Sequence, residues 1–160
     1  MRSLSDGLIG LVLGVTVSAP SAGLASCIPV EAASALLDRY VAAVNAHDTG
    51  SFGEIHAENY IQHSGRSPNG LAAQVENFRA IFARMPDVQA RVEDRIIQCD
   101  KIVARMTFSA THSQPMQGIA PTGRRFALRT IDIWRVENGK LAEHWDVVDY
   151  AGLQKQLRGE

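Results

Sequence analysis

Two alternating apolar segments joined by Asn138-Gly139 constrain the fold of this 160-residue chain more than any other part of it. Asn-Gly is the dipeptide that most readily adopts the positive φ angles of a two-residue hairpin turn. The segments on either side alternate apolar and polar residues and are rich in β-branched and aromatic side chains, which is typical of strands. The pattern therefore predicts a β-hairpin over residues 125–149.

Counting outward from this turn predicts which side chains share a face of the hairpin. Unbroken pairing places Asp132 directly opposite Trp145 and directs both toward the more apolar face. A carboxylate in that position is either a buried, hydrogen-bonded acid or the working group of a pocket, so Asp132 is the first candidate functional residue. The same count directs His144 and Asp146 to the opposite face, where we expect surface or interface groups.

The rest of the chain has helical periodicity first and strand periodicity after it. Apolar residues spaced three and four apart predict helices. An alternating pattern predicts strands, one of which Asp94 interrupts at an expected bulge or edge. Helices followed by an antiparallel sheet indicate an α+β domain. The predicted helices and helical turns are residues 30–47, 51–57, 71–85 and 152–159, and the predicted strands before the hairpin are residues 59–63, 88–96 and 102–112.

Two histidines join Asp132 as candidate functional residues. His112 ends the inward-facing row of the strand before the hairpin, and His63 precedes a loop rich in Ser, Gly and Pro. Enolisation next to a carbonyl group requires a carboxylate base, a donor for the developing oxyanion and apolar walls. Each residue also has an ordinary structural explanation: backbone groups or an indole N–H satisfy the acid, and the histidines pack or cap.

Composition and motifs exclude several classes of function. The net charge is −1, and no cluster of Lys and Arg is interleaved with aromatic residues, so nucleic acid is not an expected partner. The five histidines lack the spacing of a zinc motif, and the sequence has no glycine-rich nucleotide motif and no serine-hydrolase motif. We therefore predict neither a metal site nor a cofactor.

The first residues have the pattern of an export signal. An apolar run over residues 8–17 is too short to span a bilayer but has the length of a signal-peptide core. The string Leu24-Ala25-Ser26-Cys27 resembles the lipobox of bacterial lipoproteins. We predict a signal peptide over residues 1–27 and an exported protein, either periplasmic, secreted or anchored to the membrane by a lipid on Cys27. The alternative is a leader on a cytoplasmic protein. We expect no disulfide framework. If Cys27 is lipidated, Cys99 is alone, and we expect it to be a small buried residue.

Six short strings occur in this order: YIQH (60–63), TH (111–112), GIAPTGR (118–124), IDIWR (131–135), NGK (138–140) and EHWDVVD (143–149). Together they resemble the SnoaL-like polyketide cyclases, a family of the nuclear transport factor 2-like superfamily. The resemblance runs from about residue 30 to residue 157. We predict one domain of this kind over residues 30–158.

The resemblance implies a cone-shaped α+β fold, in which N-terminal helices pack on a strongly curved antiparallel sheet around a deep pocket. It also implies a homodimer through the outer face of the sheet and a cofactor-free intramolecular aldol condensation that closes a ring. The acid/base aspartate of the family aligns with Asp132, and its pocket histidine aligns with His112. Gln62 and His63 match as part of the pocket wall.

We therefore predict an enzyme in which Asp132 removes a proton next to a carbonyl group and His112 stabilises the enolate. The expected reaction is aldol cyclisation or isomerisation of a small hydrophobic or aromatic carbonyl compound. One alternative is a non-catalytic ligand-binding domain exported to the cell envelope, and another is a hydrolase or dehydratase on the same scaffold. The residues predicted to contact the substrate are Gln62, His63, Met106, Phe108, Trp134 and Trp145.

Overall fold

The computed structural model describes residues 27–160 as four helices and five strands. All of the predicted signal peptide except Cys27 lies outside the described residues, and export stays a prediction. No helix within residues 27–160 is long and apolar enough to cross a bilayer. In chain order the elements are α1 (Val30–Asn45), α2 (Phe52–Ile55), β1 (His56–Gln62), α3 (Leu71–Arg84), β2 (Gln89–Gln98), β3 (Lys101–Thr111), β4 (Arg125–Glu137), β5 (Lys140–Val148) and α4 (Tyr150–Arg158).

The two long helices form where the apolar spacing predicted them. α1 begins after Pro29 and buries a stripe that includes Leu36, Tyr40 and Val44. α3 ends before Pro86, as predicted, since a proline cannot continue the helical hydrogen bonding. Both helices pack with α2 against the inner face of the sheet, where their apolar side chains meet those of β3 and β4. This confirms the predicted α+β architecture.

The five strands form one curved sheet in the order β1-β5-β4-β3-β2. Strands β2 to β5 pair antiparallel with their neighbours in sequence, as predicted. β1 differs, because it pairs parallel with β5 at the other edge. A hairpin forces its two strands to be antiparallel, whereas β1 and β5 are separated by α3 and three strands, so no local turn sets their relative direction.

The edge strand β2 carries the irregularity that its sequence predicted. The pairing of β2 with β3 shifts register between Val92 and Asp94, which confirms the expected bulge. β2 is also the last strand of the sheet, so the alternative prediction, that Asp94 lies on an edge strand, is confirmed as well. Bulges of this kind bend and blunt an edge that would otherwise pair with another chain.

The outer face of the central hairpin carries exposed apolar side chains. Ile131 on β4 lies opposite Val147 on β5, and both are exposed. Such a face is compatible with a partner, and the homodimer through the outer sheet face stays a prediction.

The C-terminal helix closes the second part of the core. The Asp149 carboxylate accepts a hydrogen bond from the backbone N–H of Gly152 at 2.7 Å and so caps α4. Leu153 and Leu157 are buried against a cluster that includes Phe126. The sequence predicted a helical turn over residues 152–159, and the helix begins two residues earlier because this cap precedes it.

The two cysteines are joined, contrary to our expectation for Cys99. A disulfide links Cys27, just ahead of α1, to Cys99 in the turn between β2 and β3. The prediction that Cys99 is a small buried thiol is therefore wrong. The two cysteines are 72 positions apart in the sequence, so there is no local signal for the pairing; the packing of α1 against β2 brings them together.

Candidate active site

A one-residue bulge in β5 decides which side chains of the hairpin face inward. Glu137 pairs with Lys140 and Val136 with Leu141, as counting from the turn predicts. The register then shifts, so that Arg135 pairs with Glu143 and Ala142 is the extra residue. A bulge of this kind moves every later side chain to the other face of the strand.

The bulge overturns the predicted pairing of Asp132. Asp132 lies opposite Asp146 rather than Trp145, and Trp134 lies opposite His144. The prediction that His144 and Asp146 face away from Asp132 is therefore wrong, because it assumed unbroken pairing. All four of these side chains are on the inner face, and Trp145 is on the outer one.

The inner face borders a cavity of about 390 Å³ between the sheet, α1 and α3. Four of the residues predicted from sequence line it: Asp132, Gln62, Phe108 and Trp134. Phe108 and Trp134 contribute apolar wall. Other lining residues that matter below are Tyr40, Tyr60, Arg66, Gln74, Phe78, Ile81, Met85, Thr130, His144 and Asp146.

A hydrogen-bonded chain runs from the loop after β1 to the middle of the hairpin. The backbone N–H of Ser64 donates to Gln62 Oε1 at 3.3 Å. The Gln62 amide lies against His144 Nδ1, with its nitrogen at 3.0 Å and its oxygen at 3.1 Å. Because the Asp132 carboxylate can only accept, His144 Nε2 carries a proton, and Nδ1 of the neutral ring accepts from the Gln62 amide nitrogen. His144 Nε2 lies 3.0 Å from Asp132 Oδ1 and donates to it. The ring of Trp134 stacks on His144 and holds it in place.

The two aspartates of the cavity differ in the partners of their oxygen atoms. Asp132 is 4% exposed, and both of its oxygens are occupied, one by His144 and the other by the Thr130 hydroxyl. The Asp146 side chain is 5% exposed, and its Oδ2 accepts from the Arg66 guanidinium. Asp146 Oδ1 is buried and has no hydrogen-bond partner among the described residues. Each oxygen of Asp132 therefore has a partner, whereas one oxygen of Asp146 has none among the described residues.

Two buried phenols supply neutral donors beside these acids. Burial, and then the charge of Asp132, raise the pKa of Tyr60 far above its usual value. The same two causes raise the pKa of Tyr40. Both groups therefore keep their protons. The Trp134 indole beside the Tyr60 hydroxyl can only donate to it, so the Tyr60 proton has no acceptor within residues 27–160.

His112 does not join this site, contrary to the prediction that pairs it with Asp132. The residue beside Asp132 on β3 is Ala104, eight residues before His112 and roughly 26 Å of strand away. His112 is buried at the end of β3, where its Nδ1 lies 2.9 Å from the Thr122 hydroxyl. Its carbonyl also accepts from the backbone of residues 122 and 123, so it organises the loop before β4.

Three residues predicted to contact the substrate lie elsewhere. His63 and Trp145 stack on each other at 4.3 Å on the outer side of β5. His63 also lies 2.8 Å from a Glu143 oxygen, and with Arg135 it lowers the pKa of Glu143. Met106 is fully buried in the core and does not line the cavity. The bulge explains Trp145, since unbroken pairing directed it inward.

The inner face also brings together three groups that the sequence did not connect as metal ligands. Asp132, His144 and Asp146 each offer one ligand atom, and these atoms lie within 4.8 Å of one another. A cation bound there could use Asp146 Oδ1, but it would have to break the hydrogen bond from His144 to Asp132 and would lie beside the positive charge of Arg66 on the other oxygen of Asp146. The partners of the three groups therefore fit an acid/base site better than a metal site.

Sequence comparison identifies relatives with named reactions. The family model of the SnoaL-like polyketide cyclases matches residues 34–157. The aklanonic acid methyl ester cyclase DnrD of Streptomyces peucetius is 29% identical over 133 residues, which cover 76% of this chain and 88% of that protein. The nogalonic acid methyl ester cyclase of Streptomyces nogalater is 32% identical over 98 residues, covering 59% of this chain and 68% of that protein.

Solved structures share the fold. TsrD from Streptomyces laurentii superposes with a TM-score of 0.75 and 31% identity, covering 81% of this chain and 97% of TsrD. A SnoaL-like polyketide cyclase from Agrobacterium tumefaciens superposes with a TM-score of 0.71 and 22% identity, covering 78% of this chain and 96% of that protein. The second likeness concerns the fold alone.

Proposed function

This chain belongs to the SnoaL-like polyketide cyclase family, and we propose that it catalyses a cofactor-free intramolecular aldol reaction of a small hydrophobic or aromatic carbonyl compound. Two relatives are named as cyclases of aklanonic and nogalonic acid methyl esters. The cavity lies between apolar walls and contains two carboxylates, an imidazole and two phenols. These groups supply every proton transfer that an enolate route needs.

The proton next to the carbonyl group goes to Asp146 in this proposal. Its Oδ1 is the buried carboxylate oxygen of the cavity that no described residue occupies, whereas both oxygens of Asp132 already accept hydrogen bonds. Arg66 holds the other oxygen of Asp146 and fixes the direction of the free one. This free oxygen is the observation that carries the proposal.

The electrons of the broken C–H bond form an enolate, whose oxygen needs a donor. The Tyr60 hydroxyl is buried and keeps its proton, for which the described residues offer no acceptor, so we assign it this role. A neutral donor held in a dry site stabilises the developing charge without first losing a water partner. It replaces His112, which the sequence had assigned to the enolate.

Carbon–carbon bond formation follows without any change in oxidation state. The enolate carbon attacks a second carbonyl carbon of the same molecule, and the electrons of that C=O bond become an alkoxide. The alkoxide then takes the proton back from Asp146. Substrate and product have the same atoms, so the reaction consumes no cofactor.

Asp132 holds the site in order rather than removing the proton. It accepts from His144, which Gln62 orients in turn. Asp132 therefore keeps the imidazole in place on the wall that carries the proposed base.

A matched pair of isosteric variants tests this division of roles. We expect Asp146→Asn to lower turnover by roughly 10³-fold, because the base is gone. Asp132→Asn should lower it by roughly tenfold to a hundredfold, as loss of an orienting partner does. The measurements are cyclisation of aklanonic and nogalonic acid methyl esters, and exchange of the α-hydrogens of 2-tetralone in D2O.

The reverse order of effects would return the base to Asp132, where the sequence first placed it. Binding of ketones with no turnover and no hydrogen exchange would contradict the enzyme proposal and favour the ligand-binding alternative. Circular dichroism of both variants controls for folding.

A further inference from the structure

One polar side chain of the cavity has no role in the mechanism above. Gln74 lies on the cavity side of α3 in one stripe with Phe78 and Ile81, which follow it by four and seven residues, and Met85 continues the stripe just after the helix. Two other polar residues of α3, Asn77 and Arg84, also line the cavity, but neither is buried. Gln74 is therefore the buried polar member of an otherwise apolar stripe.

The Gln74 side chain is buried, and its amide oxygen lacks a hydrogen bond. The residue is 4% exposed, and Oε1 has no hydrogen-bond partner within the described part of the chain. An unpaired buried amide oxygen destabilises a folded protein relative to an apolar group of the same shape. Met or Leu at this position would continue the stripe and favour the helix at least as well. The glutamine therefore fits a ligand better than it fits the fold.

We propose that Gln74 is a specificity-determining residue that accepts a hydrogen bond from a hydroxyl group of the substrate. The acids are on β4 and β5, while Gln74 is on the helix that forms another wall of the cavity. The substrate would then be an aromatic or cyclic ketone with a hydroxyl group remote from the reacting carbonyl. This inference rests on the proposed function only for the position of that carbonyl.

Two ligands that differ in one donor proton test the inference without turnover. The probes are 2,6-dihydroxynaphthalene and 6-methoxy-2-naphthol, in which a methyl ether replaces one hydroxyl. We expect the wild-type chain to bind the diol about tenfold more tightly, the effect of one buried hydrogen bond. In Gln74→Met this ratio should fall to about one. Fluorescence titration of each ligand gives the affinities.

Thermal unfolding of the unliganded variant separates a binding role from a structural one. Gln74→Met should melt roughly 3 °C higher than the wild type, because it removes an unsatisfied polar atom. A glutamine that stabilised the fold would give a lower melting temperature. Gln154→Met on α4, which is outside the cavity lining, is the control for the same exchange in a helix and should leave the ligand ratio unchanged.

Two outcomes would overturn the inference. One is a diol preference that survives in Gln74→Met, and the other is the lack of any preference in the wild type, as when an ordered water satisfies the amide. Either result can coexist with loss of turnover in Asp146→Asn, so the specificity inference and the proposed function fail separately.

Discussion

The inner and outer faces of the β4–β5 hairpin each join a histidine to a carboxylate, in very different surroundings. Inside, His144 lies 3.0 Å from Asp132, with side chains 9% and 6% exposed. Outside, His63 lies 2.8 Å from Glu143, with side chains 35% and 19% exposed. The bonds are alike in length, but water competes only for the outer one. Burial, more than the pairing itself, gives the inner face its chemistry.

Shifting the register beyond the bulge should break this difference between the faces altogether. Insertion of one alanine between Glu143 and His144 moves the rest of β5 by one residue and turns His144 and Asp146 toward the outer face. We expect turnover to fall by more than roughly 10³-fold, since the proposed base leaves the cavity. Deletion of Ala142 is the control, because it removes the bulge but keeps His144 opposite Trp134 and Asp146 opposite Asp132. Near-normal turnover in the insertion variant would contradict the assigned register or the assigned base.

Truncating each histidine compares the two bonds directly. His144→Ala should lower the free energy of unfolding by about 3 kcal/mol, because it leaves a buried carboxylate short of a donor. His63→Ala should lower it by less than about 1 kcal/mol, as an exposed pair does. Urea denaturation of both variants measures the difference. Equal losses would mean that burial does not separate the two faces.

A third histidine, His56, extends the comparison to the pH dependence of stability. Burial lowers the pKa of His56 to about 4, with a small contribution from His144, against the opposing effect of its hydrogen bond to the Phe52 carbonyl. Folding therefore favours the neutral ring, and stability is lost as the pH falls below the unfolded value of 6.5. Between pH 6.5 and pH 4.5 the loss from His56 is about 2 kcal/mol.

Between pH 6.5 and pH 4.5, the change in stability caused by His56 is separate from that caused by Glu143 on the outer face. The pKa of Glu143 is lowered, chiefly by His63 and Arg135, so its contribution is present above the unfolded value and disappears only in more acidic solution. His56→Phe should flatten the stability profile between pH 6.5 and pH 4.5, as measured by urea denaturation at each pH. An unchanged slope would show that His56 is protonated in the folded chain.

The sequence predicted the fold well because its strongest signals are local. Asn138-Gly139 marks the hairpin turn, and both residues do adopt positive φ angles. Pro86 marks the end of α3. Asp94 revealed the bulge of β2, since a charge in an apolar row is visible to inspection.

The site was harder to predict because the bulge in β5 that determines it leaves little signal in the sequence. Ala142, the extra residue of the second bulge, is small enough to fit either face and interrupts no pattern sharply. The adjacent apolar pair Leu141-Ala142 is the only trace of it, since both are buried. The sequence correctly predicts that Asp132 faces the cavity, but its partner is His144 rather than the predicted His112.

The bond between Cys27 and Cys99 makes two fates of one sulfur atom mutually exclusive. A thioether to diacylglycerol and a bridge to Cys99 both consume the Cys27 thiol, so a molecule with the bridge cannot be tethered through that residue. With the bridge in place, the N-terminal end of the domain is joined to the β2–β3 turn.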